Sequence, residues 1–387
     1  MGLLNTARFA EDIPGLMTKP LNTTTKRVFV AATRMNDGKT TTCLGLYGAL
    51  RGLGLNVGYI KPVAQRIIQV EGHPVDEDTQ LVNSIYRVNI PIAAMSPVAI
   101  DPTFTRRYLE SPEEIYPQVV DRMCRAFDRS AYEKDVVIIE GSGHAGVGAV
   151  FDSSNAANAQ LLESKCLLVA GGGIGKPVDE IAMNKALFDQ KGVECVGVIL
   201  NKVLRDKIDY VREYAGRGLA RLGVPLLGVL PLQESLAKPN LAQIVQEIDG
   251  QWLHRPEGSG ARRIQKVIMG AMSANSVSAY LGPGVLMILP GDREDLLYSI
   301  IASAGVKGCQ VAQGLILTNN LQPHSRLLEM MRQTNIPVVG TDAEGFAVTA
   351  KINNMTVKTQ PEDADKIPVI EELIRENIDL KALLQVL

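Results

Sequence analysis

No apolar run in this sequence reaches the roughly 18 residues that a membrane-spanning helix needs, so no segment is expected to cross a bilayer. The N-terminus lacks the basic start and apolar core of a secretory signal. Neither charge sign is in excess: 40 Lys plus Arg against 42 Asp plus Glu leave a net charge of −2. That balance gives no support for wrapping a nucleic-acid backbone. Aromatic residues are only 5% of the chain, which weakens a base-stacking surface as well. The cysteines Cys43, Cys124, Cys166, Cys195 and Cys309 include no Cys-x-x-Cys pair. The histidines His73, His144, His254 and His324 are far apart, so neither set has zinc-ligand spacing. The cysteines read as buried thiols in a reducing compartment. Short-period repeats and low-complexity tracts are missing too. These absences leave a cytoplasmic globular protein with neither nucleic acid nor membrane as partner.

What is present is ordinary core material: 46% hydrophobic and 21% charged residues in a chain of 387. At about 100–200 residues per domain, two or three domains fit. Met1-Gly2-Leu3-Leu4-Asn5-Thr6 matches the myristoylation pattern at Gly2, a short match that arises easily by chance. Residues 1–25 read as a flexible or docking arm. Short apolar, β-rich runs then recur at 27–32, 56–60, 135–140, 166–170, 196–200 and 226–230. Helix-like segments, such as 40–52, 177–191 and 206–222, lie between them. Continuous apolar strands alternating with helices predict an α/β fold, a parallel sheet covered by helices on both faces. This first domain is placed at 26–250. The polar, Pro- and Gly-containing stretch 251–262 reads as a linker. A second, smaller α/β series fills 263–387, with strands at 264–269, 285–289, 313–318 and 336–339 and a closing helix at 368–385.

The chemistry concentrates in Ala32-Thr33-Arg34-Met35-Asn36-Asp37-Gly38-Lys39-Thr40-Thr41. A strand ends, a turn follows, and Gly38-Lys39-Thr40 opens a helix. Free backbone N–H groups and the positive helix end would face a phosphate. Lys39 would reach the outer phosphates, and the Thr40 hydroxyl would bind Mg²⁺. Gly-x4-Gly-Lys spacing would need Gly at position 33, where Thr33 stands; the alternative is an ordinary polar turn. Mg²⁺ favours one or two carboxylates plus phosphate oxygens and water. Glu140 ends the third strand, where ligands bind in an open parallel sheet. Asp78 would supply another oxygen, or merely favour a helix dipole. Lys61, in Tyr59-Ile-Lys61-Pro62-Val63, also follows a strand.

The run from Val30 to Gln65, with Val137-Ile-Ile-Glu140-Gly141 and Val198-Ile-Leu-Asn201-Lys202, resembles dethiobiotin synthetase. This resemblance implies ATP and Mg²⁺ as cofactors, held by residues 36–41 (Asn36, Asp37, Gly38, Lys39, Thr40 and Thr41). It implies Lys39 and Lys61 as the catalytic lysines and Thr40, Asp78 and Glu140 as metal ligands. It implies Asn201 as the reader of adenine. The chain has Ala32-Thr33-Arg34-Met35 where that family has Gly-Thr-Asp-Thr, and Gln65-Arg66 where it has a Ser-containing loop, and both departures count against the biotin precursor as substrate. Arg34 stands where plasmid-partitioning relatives carry a signature lysine, but Met35 and Asn36 replace their glycines.

In the second domain, Lys266-Val-Ile-Met-Gly-Ala-Met272 and Pro290-Gly291-Asp292-Arg293 resemble the DRTGG domain. The same domain order precedes the catalytic domain of long phosphate acetyltransferases, where it is regarded as regulatory and assembly-promoting. The chain ends at Leu387, so it reads as a stand-alone version of that half. The resemblance implies a P-loop NTPase-type sheet with a DRTGG-like domain and a homo-oligomer. A protein partner would bind through the second domain.

Other motifs compete. Gly141-Ser-Gly143-His144-Ala-Gly146 matches a dinucleotide pattern, but no clear helix opens there. It is expected to line the ATP or substrate pocket, with His144 either a contact or a neutral loop residue. Gly171-Gly-Gly-Ile-Gly-Lys176 reads as a tight turn into a helix, with Pro177 suited to the first turn. Arg106 and Arg107 would bind an anionic substrate or form a solvated pair. Asp292 and Arg293 would pair at a helix start or line a small effector site. The leading expectation is a MgATP-binding regulatory or assembly protein. The alternatives are an ATP-dependent ligase acting on a small carboxylate and a nucleotide-free scaffold.

Overall fold

In the computed structural model the described residues are 15–306 and 311–387. The predictions for Gly2 and most of the 1–25 arm, and for Cys309, fall wholly or partly outside them. The chain divides into two compact units, one of residues 1–233 with 364–387 and one of residues 234–363.

The first unit is built on a six-stranded parallel sheet. Its strands are β1 (Lys26–Ala32), β2 (Val57–Ile60), β7 (Val136–Glu140), β8 (Lys165–Gly171), β9 (Cys195–Val203) and β10 (Leu226–Pro231), ordered β10-β9-β8-β1-β7-β2. Four short strands lie between β2 and β7 in sequence: β3 (Val63–Ala64), β4 (Ile67–Val70), β5 (His73–Asp76) and β6 (Val98–Ala99). Central strands β1 and β7 are almost wholly buried, as expected of a sheet covered on both faces. From β1 the chain runs to β2 and β7 on one side and to β8 on the other. The strand order therefore switches direction at the carboxyl end of β1, the usual seat of a ligand in such sheets. Helix α1 (Lys39–Gly52) starts there.

The 20-residue helix Pro112–Ala131, not named in the sequence reading, packs on the edge near β2. The described part of the N-terminal arm docks along it: Met17 N–H donates to Asp121 at 2.8 Å, and Leu21 and Asn22 N–H donate to Asp128. Cys43, Cys124, Cys166 and Cys195 are free and buried, as expected. Among the described residues no helix is long and apolar enough to cross a membrane.

The second unit carries a mixed sheet, β11 (Gln251–His254), β12 (Lys266–Met269), β13 (Val285–Pro290), β14 (Gly314–Thr318) and β15 (Val338–Gly340), ordered β11-β15-β14-β13-β12. The predicted linker 251–262 is therefore partly a strand, with β11 antiparallel to β15. Trp252 is packed against the unit's core, and the loop composition that suggested a linker begins only after His254. The unit starts earlier than predicted. Helix Leu241–Glu247 belongs to it, closed by a reciprocal Asn240/Gln243 capping box.

The C-terminal segment corrects the prediction further. Residues 364–387 belong to the first unit, not the second. Helix Lys366–Asn377 lies on α1, and its Ile370, Leu373 and Ile374 are buried. Close approach is possible because α1 presents Gly45 and Gly48. A Cβ on Gly45 would lie 2.1 Å from Ile374 Cγ1, and one on Gly48 would lie 2.4 Å from Glu371 Oε1. Ile378 then bridges Gly228 on edge strand β10. Lys26 and Lys165 ammonium groups reach the Leu384 and Val386 carbonyls. The second unit is thus an insertion in the chain of the first.

Gly45→Ala should lower the first unit's stability to urea by about 1–3 kcal/mol, through overpacking against Ile374. Gly52→Ala has open space around its new methyl. It should leave stability unchanged or raise it by up to about 1 kcal/mol.

Candidate functional site

The loop after β1 is shaped by Asp37. Its Oδ2 accepts from the Thr33 hydroxyl at 2.8 Å and from Arg34 N–H at 2.9 Å. Thr33 N–H donates to Val169 O, fixing the loop's start to β8. Asn36 and Gly38 take left-handed φ values of 66° and 101°, which turn the chain into α1. Gly38 is the N-cap and provides no side-chain cap, and no acidic residue occupies the first turn. The amide end of a 14-residue helix is left facing out, a favourable seat for an anion.

Asn201, at the end of β9, lies against this loop. Its Nδ2 donates to Asp37 O at 2.8 Å and its Oδ1 accepts from Lys202 N–H at 2.8 Å. Lys202 Nζ donates to Asn36 O at 2.6 Å. With Asn201 only 5% exposed, its carboxamide braces the loop backbone rather than standing open to a base. Gly38 is required by the same contact, because a Cβ there would lie 2.1 Å from Asn201 Nδ2. Asn36 and Asp37 likewise act as loop-shaping residues.

Behind the loop lies a buried charge cluster. Lys61, 6% exposed, leaves the end of β2 and meets Asp76 Oδ1 at 2.7 Å. Its Nζ also contacts Asp78 Oδ2 and lies 4.0 Å from Glu140 Oε1. Asp76 ends β5 and caps helix α2 (Glu77–Tyr86) through the Asp78 N–H. Its second oxygen accepts from the Gln65 and Arg66 amides. Glu140 ends β7, is 1% exposed, and accepts from Thr40 Oγ1 at 2.8 Å and Tyr59 OH at 2.9 Å. Burial alone would lower the Lys61 ammonium pKa, but Asp78, Glu140 and Asp76 outweigh it and raise it above its ordinary value. Burial, then the Asp78 charge, raises the Glu140 carboxyl against the opposing Lys61, Lys39 and Thr40. Burial lowers the Lys39 ammonium, with Glu140 opposing.

Lys39, Thr40, Lys61, Asp78 and Glu140 therefore share one neighbourhood. Asp76 and Tyr59 were not singled out. The signal for Asp76 was its place before Glu77 and Asp78, where a helix cap is expected. Tyr59 carried no signal beyond its strand. The other candidates lie elsewhere. His144 Nδ1 accepts from Gly146 N–H within its own loop, and the next α-helix opens only at Asn155. Arg107 pairs with Asp101 at 2.7 Å on an exposed helix. Arg293 pairs with Asp295 at 2.9 Å, not with Asp292 as predicted, because Asp295 lies on the first turn of helix Glu294–Ala304. Helix Gly175–Gln190 begins inside the second glycine-rich turn, and Pro177 falls in its first turn.

Thr40, Asp78 and Glu140 offer a hydroxyl and two carboxylates around a position already holding a cationic group. This hard-oxygen set fits an Mg²⁺ that keeps water and phosphate oxygens as its remaining ligands. Among the described residues, no group of three or more His, Cys, Asp and Glu would hold a metal unaided.

The AAA_26 family, described as an AAA domain, matches residues 26–240. The DRTGG domain matches residues 243–355. A phosphate acetyltransferase of Pseudomonas aeruginosa is 27% identical over 381 residues, covering 92% of this chain and 51% of that protein. One of Nitrosomonas europaea is 26% identical over 360 residues, covering 90% and 50%. The chain spans about half the length of the curated relatives it matches. The septum site-determining protein MinD of Pyrococcus horikoshii, solved with Mg-ADP, has a TM-score of 0.34 at 16% identity. That alignment covers 55% of this chain and 83% of the MinD chain. With AAA_26 matched over residues 26–240 and DRTGG over 243–355, the chain belongs to the AAA_26 family of P-loop domains, here followed by a DRTGG domain.

Proposed function

We propose that the chain binds MgATP at the start of α1 and passes the nucleotide state on to a partner or another subunit. A P-loop domain of this family implies a nucleotide. Lys39 and the outward amides of α1 would hold its phosphates, and Thr40, Asp78 and Glu140 would hold the metal. Bound Mg²⁺ would offset phosphate charge. Lys61 would stabilise the outer phosphate, and Asn201 would keep the loop in register.

The observation that carries the regulatory part is the packing of helix Lys366–Asn377 on α1. The chain leaves the inserted second unit at residue 363 and enters this helix directly. A displacement of α1 on nucleotide binding would therefore pull on the segment that ends the second unit. Tyr86 adds a link, its hydroxyl lying 2.9 Å from both Leu44 O and Glu371 Oε1. Relatives named phosphate acetyltransferase fit this reading, with the present chain corresponding to about half of their length. The readout would be oligomeric state or the binding of a protein through the second unit.

MgATP at 100 times its dissociation constant should add about 2.7 kcal/mol of stability. That corresponds to a rise of about 5–10 °C in melting temperature by scanning fluorimetry. Lys39→Ala should abolish the rise, and EDTA should reduce it. A wild type unmoved by any nucleotide would sink the proposal.

Asn201→Ala should weaken ATP and GTP binding alike, by about five- to tenfold for one lost hydrogen bond, measured by calorimetry. Loss confined to ATP would mean that Asn201 reads the base instead of bracing the loop.

A further inference from the structure

Lys61 is an unusual occupant for the centre of a cation site. Its ammonium lies among Asp76, Asp78 and Glu140, three carboxylates from β5, α2 and β7 that are each nearly inaccessible. Two of these, Asp78 and Glu140, are the carboxylates proposed above for Mg²⁺. An ammonium and a divalent ion cannot share that gap, since like charges a few ångströms apart repel strongly in a buried site. Asp76 is differently placed. It is fixed by the Gln65, Arg66 and Asp78 amides, and faces the cluster only through Oδ1.

We propose that Lys61 occupies the cation seat in the nucleotide-free protein, so that the site loads in a fixed order, nucleotide before metal. This rests on the reading of the site as a MgATP site and adds its sequence of filling. Arriving phosphates give the ammonium a new anionic partner on the Lys39 side. Lys61 then gives up Asp78 and Glu140, and those two oxygens receive the divalent ion. The protein is thereby kept from taking metal in the absence of nucleotide.

The test uses the full chain without nucleotide and Mn²⁺ as the probe, with free Mn²⁺ counted by electron paramagnetic resonance. Wild type should take up no stoichiometric Mn²⁺. Lys61→Met combined with Asp76→Asn removes one positive and one negative group together, so the buried charge stays balanced. Asn also retains the cap on α2. This double variant should bind one equivalent, with affinity raised about tenfold or more over wild type. Adding Asp78→Asn should remove the new site. Circular dichroism checks folding, and Lys61→Gln combined with Asp76→Asn serves as the second variant if the Lys61→Met version does not fold.

Wild type binding one equivalent as tightly as the variant overturns the proposal. So does a folded variant that gains no Mn²⁺. Failure of the MgATP reading would show instead as a wild type that no nucleotide stabilises. The Mn²⁺ comparison contains no nucleotide, so the two failures are separable.

Discussion

The buried Lys61 ammonium is the contact on which the site's architecture depends. It ties the end of β2 to the start of α2 and approaches the end of β7 in one stroke. Carboxylates held out of water are tolerated only when paired and hydrogen-bonded. Asp76 meets that condition with Lys61 and three amides. Glu140 meets it with the Thr40 and Tyr59 hydroxyls and the nearby lysine. Removing Lys61 alone would take the shared cation from three buried acids at once, so the residue is structural. The short strands between β2 and β7 gain their position from the same cluster, because Asp76 closes β5 upon it.

The loop above the cluster is held by a different device. Asp37 folds it from within, and Asn201 and Lys202 clasp its outer carbonyls from the end of β9. No side chain caps the first amides of α1, while the Asn36 and Asp37 carbonyls of the loop are engaged. Such an arrangement favours anions by subtraction: the acceptors are used internally and the donors are left facing outward.

Much of this was legible in the sequence. Apolar runs bounded by turns marked all six strands of the first sheet, because fully buried parallel strands admit few polar residues. Lys39, Thr40, Lys61, Asp78 and Glu140 were each placed by their position after a strand or at a helix start. What sequence could not supply was partnership across long distances. The amphipathic pattern of 366–377 shows a buried face but not that Gly45 and Gly48 receive it. The role of Asn201 as a brace depends on the exact path of the loop, which no spacing encodes. The boundary at 251–262 misled because composition marks turns equally well inside a domain and between domains. The Arg293 pairing misled in the same way, since three acids lie within two residues of it.

The insertion also constrains how the molecule is made. Tyr86 and Glu371, which bond in the finished first unit, are 285 residues apart in sequence. On the ribosome, α1 emerges long before the helix that covers it, and the whole second unit is synthesised in between. The glycine face of α1 therefore stays uncovered until residues 366–377 have been made. The first unit begins folding first and finishes last, so the later unit is complete while its host is still open. A contact of such high sequence separation closes slowly, and it leaves α1 as the element whose final packing waits on residues 366–377.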